Sequence, residues 1–116
     1  EKGLAIIQGV NGADSRTVAT YYTDVGRAAR DQGLLEYAEE TFEKARSIHI
    51  QAYGETSQPF AVNCIDIGRL HHLKGNLEDA KTMLRKAVTT FNVLKKENYA
   101  TLANQFLAVV LSDQGK

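Results

Sequence analysis

Apolar and small residues along this chain recur at steps of three and four, which is typical of helices with one buried face. Between Ser15 and Gln32 this stripe contains Val18, Tyr21, Tyr22, Val25, Ala28 and Ala29. A second stripe follows Gly33 and extends to about Tyr53. Alternation with a period of two is nowhere sustained, so the pattern predicts helices and no sheet.

Glycine, proline and cap residues mark where the predicted helices begin and end. Gly33 and Gly75 each supply the left-handed residue that ends a helix, and a new apolar stripe follows each of them. Between the two pairs of stripes, Thr56 or Ser57 is expected to cap the next helix, with Pro59 in its first turn. The chain therefore reads as helical hairpins separated by a break.

Small residues of these hairpins recur at a fixed spacing of 42 residues. The pairs are Gly26 and Gly68, Gly33 and Gly75, Ala38 and Ala80, and Ala45 and Ala87. A fixed period of this length is typical of stacked copies of one supersecondary unit. The predicted fold is all-α, an α-solenoid of helix-turn-helix repeats with two complete repeats flanked by two half repeats.

The period divides the whole chain, residues 1–116, into one repeat array. We expect the second helix of a preceding repeat at 1–12, repeats at 15–54 and 57–96, and the first helix of a following repeat at 98–116. Asp14 and Ser15 are expected to cap the first complete repeat, and Lys95 and Lys96 to lie in the last turn of the second. Because the apolar pattern is already under way at Glu1, we expect a fragment of a longer repeat region.

Composition excludes several classes of function. Of the 116 residues, 43% are hydrophobic, and 14 Lys and Arg balance 14 Asp and Glu. This balance removes the broad basic field that binding to nucleic acid or anionic lipid needs. The longest apolar run, residues 106–111, is far shorter than the roughly 18–20 residues of a membrane span. A single cysteine and the absence of an Asn-x-Ser/Thr sequon indicate a cytoplasmic protein.

No catalytic, metal or cofactor site is expected. The adjacent His71 and His72 cannot both point to one metal ion from a helix, and Cys64 brings no third or fourth ligand. Cys64 lies on a predicted buried stripe and is interpreted as a core residue, whereas His49 is expected on the surface. We therefore expect no enzyme within these residues.

The two complete copies resemble the tetratricopeptide repeat. The matching positions are Gly26, Gly33, Leu35, Ala38, Phe42 and Ala45 in one copy and Gly68, Gly75, Leu77, Ala80, Leu84 and Ala87 in the other, with Ala108 and Gly115 in the last half-copy. A 42-residue unit with a longer second helix is similar to the kinesin-light-chain type of this family. The resemblance implies stacked hairpins that bind proteins.

The resemblance also implies that first helices line a concave groove. Mapped onto this chain, the partner-binding residues are Thr23, Arg27, Arg30, Ile65, Arg69, His72, Gln105 and Val109. Arg27 and Arg69 are expected to stand side by side and grip the carboxylates of an acidic peptide. Alternatively, they pair with Asp24, Asp31 or Asp66 as a solvated face. The sequence leaves these two alternatives open.

Two further questions each have two possible answers: what covers the last predicted helix, and what the chain does. Its run from Phe106 to Leu111 is apolar on nearly every side, so we expect either another helix of a longer protein or self-association to cover it. The leading function is a protein-interaction scaffold within an adaptor, transport or assembly protein. The other is an accessory regulatory array of a larger enzyme or signalling protein, with its catalytic domain outside these residues.

Overall fold

Five α-helices account for most of residues 15–115, the part of the chain that the computed structural model describes. They are α1 (Ser15–Asp31), α2 (Leu35–Tyr53), α3 (Gln58–Leu73), α4 (Leu77–Val93) and α5 (Glu97–Gln114). These residues contain no strand. The predicted all-α repeat fold is confirmed. The half repeat predicted at 1–12 and the cap at Asp14 lie outside the described residues.

The chain divides after Gly54 into two compact units. In the first unit, α1 and α2 form a hairpin, and its core is built from one face of each helix. This core comprises Val18, Ala19, Tyr22, Ala45 and Ile48, with exposed fractions between 0% and 8%. The spacing of four between Val18 and Tyr22, and of three between Ala45 and Ile48, places each set on one helix face. Burial of these faces drives the pairing of the two helices.

The second unit repeats the hairpin with α3 and α4 and adds α5. Its buried apolar residues are Phe60, Ala61, Cys64, Ile65, Ile67 and Leu70 on α3, Ala80, Met83, Leu84, Ala87 and Phe91 on α4, and Ala100, Ala103 and Val110 on α5. The rings of Phe91 and Tyr99 stack with centroids 5.0 Å apart and join α4 to α5. Cys64, 1% exposed, is confirmed as a core residue.

Two glycines let the helices of each hairpin approach closely. A Cβ on Gly26 would lie 2.6 Å from Cε1 of Phe42, and one on Gly68 would lie 2.8 Å from Cγ of Leu84. Phe42 and Leu84 are fully buried and cannot swing aside into solvent. The same close contact therefore occurs at both glycines, which are 42 residues apart.

The three tight turns between helices share one hydrogen-bond pattern. In the first, the amide of Gly33 donates to the carbonyl of Arg30, and that of Leu34 donates to Ala29. The turn at Gly75 has the equivalent pair of bonds, as does the turn at Lys95. This is the Schellman arrangement, which needs a left-handed residue after the helix. The predicted left-handed glycines are confirmed, with φ of +81° and +83°.

The prediction that Lys95 and Lys96 lie in the last turn of α4 is wrong. The helix ends at Val93, and Lys95 itself is the left-handed residue, with φ of +60°. Its amide donates to Asn92 at 3.1 Å, and that of Lys96 donates to Phe91 at 2.9 Å. A lysine therefore performs in this turn the conformational role that a glycine has in the other two.

Serine and proline begin α3 as predicted. The Ser57 hydroxyl accepts a hydrogen bond from the amide of Phe60 at 3.3 Å, and Pro59 lies in the first turn. His49, in contrast, was wrongly expected on the surface, since it is only 8% exposed. It follows Ile48 at the edge of the buried face of α2, and its ring lies 6.2 Å from that of Tyr53.

Substitution of Gly68 by Ala tests the close approach of α3 and α4. Helix propensity alone would stabilise this variant, but the added methyl must displace buried Leu84, so we expect the free energy of unfolding to fall by about 1–3 kcal/mol. Urea denaturation measures the change. The control is Ala108→Gly at the equivalent, exposed position of α5, where propensity alone predicts a loss of about 0.5–1 kcal/mol. A Gly68→Ala variant more stable than the natural protein would contradict the close contact.

Substitution of Lys95 by Gly should stabilise the turn between α4 and α5. The left-handed conformation costs a residue with a Cβ about 1–2 kcal/mol, and glycine removes this cost. Glycine also raises the conformational entropy of the unfolded chain, which offsets part of the gain. We expect a net gain of about 0.5–1 kcal/mol in thermal or urea unfolding. Lys96→Gly, next to it at negative φ, is the matched control and should bring no gain. Equal effects of the two variants would be inconsistent with strain at Lys95.

Candidate binding site

A pocket of about 240 Å³ lies in the second unit, between α3 and α5, with α4 behind them. Its walls are Arg69, His72, Leu73, Leu84, Phe106, Val109 and Val110. The volume is below the roughly 300–1,000 Å³ of pockets that enclose small molecules. It therefore suits one side chain of a larger partner better than a complete ligand.

The interior of the pocket is apolar. Leu84 and Val110 are 0% and 1% exposed and form its base, whereas Leu73 and Val109 are 58% and 49% exposed. Two well-exposed aliphatic side chains beside a recess leave apolar surface in contact with water, and burying that surface under a partner would be favourable. Of these residues, Val109 was predicted from the sequence to contact a partner.

Arg69 forms one wall and lies over the ring of Phe106. Its Cζ lies 4.4 Å from the centroid of the Phe106 ring, which is a cation–π distance. A guanidinium donates its hydrogen bonds in the plane of the group. The contact with Phe106 holds the guanidinium of Arg69 at the wall of the pocket.

His72 forms the neighbouring wall and contacts Asp113. Its Nε2 lies 2.5 Å from Oδ2 of Asp113, and both side chains are partly exposed, at 27% and 37%. The contact joins α3 to α5 across 41 residues of sequence. Asp113 was not predicted from the sequence. Its place three residues after Val110 and seven after Phe106 is the one signal that puts it on the pocket side of α5.

The residue after Asp113 anchors the last turn of α5 to the start of α4. The Lys81 ammonium donates to Oε1 of Gln114 at 3.0 Å and to Oε2 of Glu78 at 3.2 Å, and the Gln114 amide donates to the same Glu78 oxygen. The hydrogen bond and positive charge of Lys81 lower the pKa of Glu78 from its usual 4.5, and the Gln114 bond adds to this.

The first unit contains three of the predicted site residues. Thr23 and Arg27 are half-buried on α1. The Arg30 side chain is 9% exposed, with its Nε 3.8 Å from Oδ1 of Asp31 and its Cζ 6.0 Å from the centroid of the Phe42 ring. Arg30 therefore contributes to the hairpin itself through its contact with Phe42.

The remaining predicted residues belong to the second unit. Arg69, His72 and Val109 meet in the pocket, Ile65 is 5% exposed, and Gln105 is exposed on α5 outside the pocket walls. Phe106, which completes the site, was read from the sequence only as part of an apolar run. Its role beside Arg69 depends on side-chain direction, which residue spacing does not specify.

Neither a metal-binding cluster nor a membrane-spanning helix is present among the described residues. Residues 15–115 contain no group of three or more His, Cys, Asp or Glu side chains that could hold a metal ion. None of the helices in this range is sufficiently long and apolar to cross a bilayer.

Sequence comparison agrees with the helical-repeat fold. A family model of the tetratricopeptide repeat matches residues 17–92, which is more than half of the chain. The chain belongs to the tetratricopeptide repeat family. Members of this family generally mediate protein–protein interactions and are typically non-catalytic scaffolds. No curated protein sequence matches the chain.

The lowered pKa of Glu78 predicts how the anchor of α5 responds to acid. Since the pKa is lower in the folded state, the stabilisation is present above about pH 4.5 and is lost as the pH falls through the folded value. Carboxyl-carbon NMR should give Glu78 a pKa below 4.5, and Lys81→Met should raise it. Lys86→Met, at another lysine of α4, is the control. A Glu78 pKa insensitive to Lys81→Met would contradict the assigned cause.

Proposed function

We propose that this tetratricopeptide array binds an acidic peptide or helical segment of a partner protein along its first helices, and that the pocket between α3 and α5 is part of the binding surface. The observation that carries the proposal is the position of Arg69 and His72 as walls of an otherwise apolar pocket. An aliphatic or aromatic side chain of the partner would enter the pocket. A carboxylate beside it would accept hydrogen bonds from the in-plane donors of Arg69.

The attraction of an acidic partner would come from local charge at the pocket, not from the net charge of the chain. The protein has no net charge, so an overall field does not draw acidic partners to it. Attraction must come from local groups, and Arg69 lies where burial of the neighbouring apolar walls would also lower the local dielectric constant. A carboxylate bound there would interact more strongly than one on an open surface.

The repeat length supports a further classification. Equivalent residues lie 42 apart, and the second helices, at 19 and 17 residues, are longer than the first helices, at 17 and 16. These features are the reason to propose the kinesin-light-chain-like type of tetratricopeptide repeat. The proposed pocket function does not depend on this classification.

A pair of matched peptides tests the proposed function. One is a fluorescein-labelled peptide, about 12 residues long, of Asp, Glu and Leu, and the other carries Asn and Gln in place of the acids. We expect the acidic peptide to bind more tightly in fluorescence anisotropy. Arg69→Ala should weaken it about 5–10-fold, the loss of one charge-assisted hydrogen-bonding group, and Arg27→Ala/Arg69→Ala should weaken it further.

Arg85→Ala supplies the matched control, because Arg85 is an exposed cation on α4 that does not line the pocket. It makes the same change in net charge and should alter the affinity less than twofold. Equal affinity of the natural protein for the two peptides would refute acidic recognition. Equal effects of Arg69→Ala and Arg85→Ala would remove the pocket from the binding surface.

A further inference from the structure

We propose that Asp113 is a specificity-determining residue of this binding surface, which lowers its affinity for acidic partners by holding His72 with a carboxylate of the chain itself. This inference rests on the proposed function, since it concerns which ligand charges the same surface accepts. Asp113 is not itself a pocket wall, yet it contacts His72, one of the two basic side chains in the walls.

The geometry of the contact leaves little room for a second carboxylate at the same nitrogen. Nε2 of His72 carries at most one hydrogen, and Oδ2 of Asp113 already lies 2.5 Å from this atom. A ligand carboxylate that approached Nε2 would have to displace Asp113 or lie beside it. Two carboxylates at one site repel each other, which disfavours the second one.

Asp113 is held in this position by its neighbour in sequence. Gln114 contacts Lys81 and Glu78 on α4, so the last turn of α5 is tied down one residue beyond Asp113. The Asp113 side chain therefore need not lose all its conformational freedom when it contacts His72. A ligand carboxylate would lose that freedom on binding, which favours the carboxylate of the chain in the competition.

The equivalent position of the first unit has a related arrangement. Arg30 lies 42 residues before His72, and its Nε is 3.8 Å from Oδ1 of Asp31. Each unit thus places one of the chain's own carboxylates beside the basic group at this position of the first helix. Carboxylates of a partner are consequently directed to Arg69 rather than to His72.

Asp113→Asn tests the inference, because it removes the charge and keeps the shape and a hydrogen-bond acceptor for His72. With the two labelled peptides defined above, we expect the affinity for the acidic peptide to rise about 3–10-fold and that for its amide counterpart to change less than twofold. Adding His72→Ala to Asp113→Asn should abolish the gain. Urea denaturation of each variant reports whether the fold is retained.

Glu97→Gln is the matched control, since it removes one negative charge from the exposed first turn of the same helix. If Glu97→Gln and Asp113→Asn raised the affinity for the acidic peptide equally, the effect would come from net charge alone, and the inference would be overturned. A weaker acidic complex with Asp113→Asn would also overturn it, by showing that Asp113 supports binding. If the natural protein does not distinguish the peptides, the proposed function fails, whereas a preference that appears only with Asp113→Asn still supports the role of Asp113.

Discussion

The close approach of two helices at a glycine is the contact on which each hairpin depends. At Gly26 and at Gly68 a side chain of the second helix occupies the volume in which any other residue would carry its Cβ. Phe42 and Leu84 are thereby fully buried, and burying one such side chain contributes about 1.5–3 kcal/mol. The glycine lowers helix propensity by about 1 kcal/mol, so packing outweighs the local cost.

The position of the pocket follows from the hairpin of the second unit and the helix that comes after it. Leu84 contacts Gly68 on one side and reaches the base of the pocket, so the residue that closes the hairpin also supports the site. Arg69 follows Gly68 in sequence, so the contact at Gly68 also fixes the backbone position of Arg69 on α3. The pocket is thus placed by core packing.

The fold could be predicted because its signals are local and repeated. The glycines, the apolar spacing and the Ser57–Pro59 helix start each depend on a few neighbouring residues, and the 42-residue period shows the same unit twice. The left-handed conformation of Lys95 was not predicted, because the hydrogen bonds of the turn and the packing of α4 on α5 impose it. Residue type alone gave no sign of it.

The site was predicted less completely, since its contacts join helices that are distant in sequence. Arg69 and His72 could be placed on one face of α3 from spacing alone, but their partners depend on how α5 is rotated against that face. This rotation brings Phe106 to the pocket and Asp113 to His72, and it leaves Gln105 outside the pocket walls.

The exposed side of α5 contains both apolar and polar residues. Leu111 is 42% exposed on this side, and the polar residues Asn104 and Ser112 are exposed there as well. Ala108 occupies the position of Gly68 and is exposed, with no described helix packed on it as α4 packs on Gly68. A helix that covered this side would have to bury Asn104, which costs free energy unless its amide is hydrogen-bonded. That requirement favours a partner with polar groups over a purely apolar one.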